Sequence, residues 1–195
     1  MQNNKMTIEN IPQYDFSIIE MIKEGFTRIE GVKLTFILAF LIYMAIAIVL
    51  NILLSLIFPS SVDNPNLLNQ QIVSILSYPV LIPLMVGMMM LAIKYSRGES
   101  IHYRAMFDYY HMTGHLALAG ILIYILTLIG FLLLILPGIY LSIAYVFALP
   151  LIADKGLDVW EAMELSRKVV TKNWFKVFGL MLLLVLIFGL GALAL

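Results

Sequence analysis

An all-α bundle of membrane-spanning helices is the fold this sequence predicts, and three observations predict it. Hydrophobic residues make up 62% of the 195-residue chain and charged ones only 12%, with a mean hydropathy of +0.98, outside the range of ordinary soluble domains. The apolar residues gather into uninterrupted runs, each close to the length that crosses a hydrocarbon core of about 30 Å. All 12 Lys and Arg fall before the first run or between runs, where one threading of the bilayer puts them on a single face. The reading is one integral membrane domain over residues 1–195, with five spans.

The chain enters the membrane through an amphipathic segment. Phe16, Ile19, Ile22, Phe26 and Ile29 recur at spacings of three and four, with Glu20, Lys23, Glu24, Arg28 and Glu30 on the other side, so residues 16–30 form an interfacial helix. Ser17 and Glu20 have capping-box spacing at its start. Residues 34–58 then carry no formal charge and form the first span, too long and too deep in the chain for a cleavable signal peptide. Residues 72–93 form the second. Pro79 and Pro83 lie inside it and predict a kink, since each removes a backbone donor and crowds the preceding turn.

Residues 101–112 give a weaker interfacial helix, with Ile101, Ala105, Tyr109 and Met112 on one face and Ser100 as its cap. The uncharged stretch from Leu116 to Ala153 is 38 residues long; as one helix it would measure about 57 Å, nearly twice the hydrocarbon thickness. It must therefore reverse, and Pro137 and Gly138 near its middle mark the hairpin turn between spans at 116–136 and 139–153. Asp158 and Glu161 cap a third interfacial helix over 158–173. Its acids come first and its bases, Arg167, Lys168, Lys172 and Lys176, come last or just beyond, an order that suits the helix dipole. The fifth span is 177–195. Gly189 and Gly191 give it a small-residue face, and a sixth span is expected in the intact protein to meet it.

Charge sets the orientation. The far side of this threading has Asp63 as its one formal charge, so the N-terminus is expected on the cytoplasmic side. Each pair of spans follows an amphipathic segment, a layout shared by a threefold internal repeat and by any row of membrane helices with basic connections.

The segment from Pro137 to Val177 carries a resemblance. Pro137-Gly138-Ile139-Tyr140, Tyr145, Phe147, Pro150, Ala153-Asp154, Glu161-Ala162, Ser166 and Asn173-Trp174 before an apolar helix resemble the YciC-like bacterial inner-membrane proteins and the membrane domain found beside some glycerophosphodiester phosphodiesterases. The likeness covers about forty residues well and the earlier spans only in layout. It implies about six helices, a bacterial inner-membrane location and an association with lipid metabolism. It implies no catalytic residue.

Several function classes are disfavoured. Equal numbers of acidic and basic residues leave a formal charge of zero, so no global field recruits nucleic acid. There is no cysteine, hence no disulfide or thiolate chemistry. The five uncharged runs contain no ionisable residue of the kind ion-coupled transporters keep at membrane depth. No GxSxG, GxxxxGK or HExxH pattern occurs. His111 and His115, with Asp108 and with His102 nearby in sequence, have metal-site spacing, but Gly114 weakens a helix there and interfacial histidines are common.

What remains is a non-enzymatic role without cofactor, in membrane organisation or in handling lipids or other apolar molecules. Pro79, Pro83, Gly87 and Met88 are the expected lining of such a path, and Arg167, Lys168, Lys172 and Lys176 the expected contacts to lipid headgroups. The expected partners are membrane lipids, with a protein partner or a second copy left open. An accessory subunit that docks on a transporter or enzyme is the alternative role, and a metal-dependent activity at His111 and His115 ranks third.

Overall fold

The computed structural model describes residues 15–29, 31–60 and 66–193, with side chains as far as residue 190. Lys5, Glu30, Asp63 and the last two residues of the fifth apolar run lie outside the described residues, as do the surroundings of Gly191. Among the described residues every regular element is helical. They are α1 (Ile18–Arg28), α2 (Lys33–Ile57), α3 (Leu67–Ser96), a 3₁₀ helix (Tyr103–Met112), α4 (Thr113–Leu133), α5 (Ile135–Ala144), α6 (Ala148–Lys155), α7 (Val159–Lys172) and α8 (Trp174–Leu193). Four helical stretches are long and apolar enough to cross a membrane: Lys33–Ile57, Leu67–Ser96, Tyr103–Leu133 and Ile135–Lys155. A fifth is counted if Val159–Lys172 and Trp174–Leu190, bent by 92°, act as one. The chain divides into two units, the first holding Glu30–Ile121 and Leu149–Val159, the second the described parts of Met1–Ile29, Leu122–Ala148 and Trp160–Leu195.

In the first unit α2 and α3 form an antiparallel hairpin. Ala39, early in α2, is buried against Leu84 and Leu91 of the second half of α3 and Met106 of the 3₁₀ helix. No other residue of α2 is buried, and Leu34, Ile37, Phe40, Leu41, Ile48 and Ile52 are exposed, the pattern of a helix solvated by hydrocarbon. Asn66 caps α3, its side-chain oxygen accepting from the Asn69 amide at 3.2 Å. Pro79 and Pro83 sit inside α3 without ending it. Pro83 has no N–H to give to the Pro79 carbonyl four residues earlier; one residue on, the Val80 carbonyl accepts from the Tyr110 hydroxyl at 2.9 Å. At the other end Gly98 takes a left-handed φ of 80° just after the last turn, and the Glu99 amide returns to the Lys94 carbonyl.

The segment expected as a surface α-helix over 101–112 is instead a 3₁₀ helix beginning at Tyr103. Its cap is His102, whose Nδ1 accepts from the Arg104 amide, and not Ser100. Three residues per turn stack side chains at i and i+3, so Tyr103, Met106, Tyr109 and Met112 line up on the half-buried to buried side, while Asp108 and His111 are exposed. Ile101 and Ala105, also expected on the packed face, are half-buried and pack against the same cluster. The helix packs along α3 because Gly87 lets it approach: a Cβ there would stand 2.1 Å from the Met106 carbonyl oxygen. A bidentate pair from Arg97 to Asp154, at 2.5 and 2.7 Å, ties the end of α3 to α6. The Lys33 end of α2, the Lys94 to Arg104 connection and Lys155 therefore gather at one end of this unit.

In the second unit the expected reversal at Pro137 and Gly138 occurs three residues earlier. Leu134 is extended, at φ −160° and ψ 147°, and both Pro137 and Gly138 lie in the first turn of α5. A proline is at ease there, where its missing N–H has no intrahelical partner to lose. Gly138 serves close approach: a Cβ on it would lie 2.4 Å from the Phe131 ring, and one on Gly130 would lie 3.0 Å from the Gly138 backbone. The expected fourth span is also interrupted, between α5 and α6. That break frees the Ala144 carbonyl and the Phe147 amide, and the buried Ser166 hydroxyl serves both, donating at 2.7 Å and accepting at 3.2 Å. The chain turns at Asn173 into α8, beside Trp174 stacked on Phe178 at 5.2 Å. Ser17 stands at the start of α1 without a side-chain cap. The α1 segment is held instead by Phe16 against Ile143, Val170 and Val177, by Ile18 against Gly179, and by a salt bridge from Lys176 to Asp15.

Replacing Ser166 by Ala should strand two buried backbone groups and cost about 1–3 kcal/mol, read as a lowered unfolding midpoint in mixed micelles. Ser166→Thr keeps the hydroxyl and should lose less. Equal stability of Ser166→Ala and the parent would show that the break does not depend on this side chain.

Candidate functional site

The hairpin of α2 and α3 is packed at its basic end and open further along. Tyr43, Ala47 and Asn51 fall at intervals of four and so share a stripe of α2, while Val73, Ser77 and Leu81, with Ser74, Tyr78, Ile82 and Met85, occupy the matching side of α3. Between them lies a cavity of about 380 Å³, open on one side. At 1.5 Å per residue its α2 lining stands about 15–27 Å from Lys33, well inside the apolar part of the helix. No Lys, Arg, Asp, Glu or His lines it.

The polar groups in the cavity differ in how they are engaged. The Ser77 hydroxyl donates to the Val73 carbonyl at 2.7 Å and that of Ser74 to the Gln70 carbonyl at 2.9 Å; both protons are spent within α3, and an oxygen lone pair is left on each. Tyr43, Asn51 and Tyr78 have no hydrogen-bond partner among the described residues. The Tyr78 hydroxyl is tucked toward Gly120, where a Cβ would stand 1.7 Å from it. The cavity thus combines apolar walls with two phenols and one carboxamide whose hydrogen-bonding capacity is unused.

The residues expected to line such a path lie on other sides of α3. Pro83 and Gly87 are buried, Gly87 beneath the 3₁₀ helix, and Met88 packs against Ala39, Leu84, Leu91 and Met106; Pro79 is exposed. None of the four lines the cavity. Proline and methionine mark where a helix is irregular or adaptable, but the lining is set by which stripe of α3 faces α2. The polar residues on that stripe, Ser74, Ser77, Tyr78 and Asn51, were the available signal: hydroxyls and an amide recurring within otherwise apolar runs.

Three of the four expected headgroup contacts are engaged with carboxylates. Glu164 accepts from Arg167 at 2.8 and 2.9 Å and faces Lys168 at 3.0 Å. The Arg167 hydrogen bonds, then that of Lys168, hold its carboxyl down to about 2 from an ordinary 4.5. Lys176 pairs with Asp15, whose carboxyl it lowers through that hydrogen bond. Lys172 lies in the last turn of α7. Trp160 and Phe175, at 66% and 83% exposure, flank these bases on the same bent pair of helices, the company expected of residues at a membrane interface.

Asp108 and His111, three apart in the 3₁₀ helix, share its exposed side, while His115 lies beyond the junction, in α4. The His111 ring nitrogen bonds the Asp108 backbone carbonyl at 2.6 Å. Among the described residues no group of three His, Cys, Asp or Glu side chains is placed to hold a metal ion. Searches against protein-family models, curated proteins and solved structures return no match to this chain.

Gly87→Ala should force the Met106 backbone away from α3 and cost about 1–3 kcal/mol, whereas Met88→Leu, a swap of similar volume, should cost less than about 1.5 kcal/mol. Thermal unfolding in detergent reads both. A silent Gly87→Ala would contradict the close approach of the 3₁₀ helix.

Proposed function

We propose that this is a non-enzymatic integral membrane protein that holds a lipid or another apolar molecule in the cavity between α2 and α3. The observation that carries the reading is that cavity: an uncharged, largely apolar recess with a few unspent polar groups, built into a hairpin whose α2 exposes hydrocarbon side chains along most of its length. Its volume falls in the range of about 300–1,000 Å³ of ligand clefts. The setting is the bacterial inner membrane, in a protein resembling the YciC-like group, with the N-terminus and the basic connections in the cytosol. Two features support the sidedness: the basic connections of the first unit meet at one end, and the 92° elbow between α7 and α8 lets a charged amphipathic helix lie along a membrane surface while an apolar one enters it.

Lipid extracted from protein purified in mild detergent tests this reading. The parent should carry a stoichiometric lipid or apolar molecule, and Ala47→Trp, which fills the recess, should lose it while keeping its helical content. A parent that carries none, or a filled variant that carries as much, would contradict the proposal.

A further inference from the structure

We infer that the occupant of the α2–α3 cavity is an uncharged amphiphile, with a head of hydroxyl, ester or ether oxygens on a hydrocarbon body, such as a diacylglycerol; this rests on the function proposed above. The chemistry of the lining selects it. Tyr43 and Tyr78 each offer an O–H and Asn51 two N–H donors, none of them used among the described residues. The two serines have given their protons to α3 and can only accept. The unused groups thus include donors, on Tyr43, Tyr78 and Asn51, and acceptors, on the two serines, and in an apolar surrounding each costs free energy until a complementary group arrives. Neutral oxygens meet that need.

A charged head does not. No basic side chain lines the recess, so a phosphate or carboxylate there would be buried without a counter-ion, at a penalty that outweighs a few neutral hydrogen bonds. The Lys and Arg side chains of this unit stand at its other end, with the Arg97–Asp154 pair. A wholly hydrocarbon guest would fit the walls but leave the phenols and the carboxamide unsatisfied. The size is also informative. A recess of about 380 Å³ is near the lower bound for drug-sized ligands, so it takes the head and the first part of the chains, and its open side leaves the remainder in the bilayer.

Native mass spectrometry of the full chain in detergent, titrated separately with 1,2-dioleoylglycerol and 1,2-dioleoyl phosphatidic acid, tests this. The parent should retain the diacylglycerol at least about tenfold more tightly than the phosphatidate. Asn51→Leu, and independently Tyr43→Phe with Tyr78→Phe, should each weaken diacylglycerol binding several-fold, by about tenfold at most for one lost hydrogen bond; the phenylalanine pair preserves the fold by keeping the rings. Equal binding of the two lipids, preference for phosphatidate, or diacylglycerol binding untouched by both variants would overturn the inference and leave the cavity as a lipid site of other chemistry. Binding of neither lipid, with no lipid carried from purification, would remove the proposed function as well.

Discussion

A backbone polar group in hydrocarbon has no water to turn to, and the architecture follows from the need to satisfy each one within the chain. Where helices run unbroken the requirement is met automatically. Where they are interrupted, a side chain from elsewhere supplies the missing partner. Ser166 closes both open ends of the break between α5 and α6, and Tyr110 of the 3₁₀ helix adds a hydrogen bond to the Val80 carbonyl in the proline-containing part of α3. These two contacts explain why irregular backbone persists in a chain so poor in polar residues.

Glycine sets the second constraint, since close approach of backbones is what packs helices that gain little from burying one apolar surface against another in lipid. Gly87 admits the 3₁₀ helix, and Gly130 with Gly138 admits the reversal into α5. The pattern is uneven. The first unit is packed around Leu84, Leu91 and Met106, while further along the hairpin the space between α2 and α3 stays open. That contrast is the origin of the cavity.

The apolar runs and the large-scale order of elements were legible in the sequence because hydropathy over twenty residues is a strong signal. Four helical stretches, or five with the bent pair, are long and apolar enough to cross a membrane, and Val159–Lys172 is a helix within the expected 158–173; the 92° elbow after it had no counterpart in the pattern of residues. The reversal lies three residues before the expected turn because a proline that can stop one helix sits equally well in the first turn of the next, where Pro137 is found. The 3₁₀ helix was missed because residues 101–112 fit a 3.6-residue period loosely, and only the packing of Met106 on Gly87 selects the tighter coil. The cavity lining was not read at all. Rotational register between two apolar helices leaves little trace in hydropathy, and small hydroxyls such as Ser74 and Ser77 are common in membrane helices that bind nothing.

Everything in the functional account presupposes that the hairpin crosses the bilayer with its charged connections together on the cytosolic face. The chain has no cysteine, so single cysteines report position without background. Asn66→Cys and Lys155→Cys, exposed to a membrane-impermeant maleimide in sealed vesicles of known orientation, give the most direct test. Labelling of Asn66→Cys from the outside only and of Lys155→Cys from the inside only is the predicted result; labelling of both from one side would contradict it.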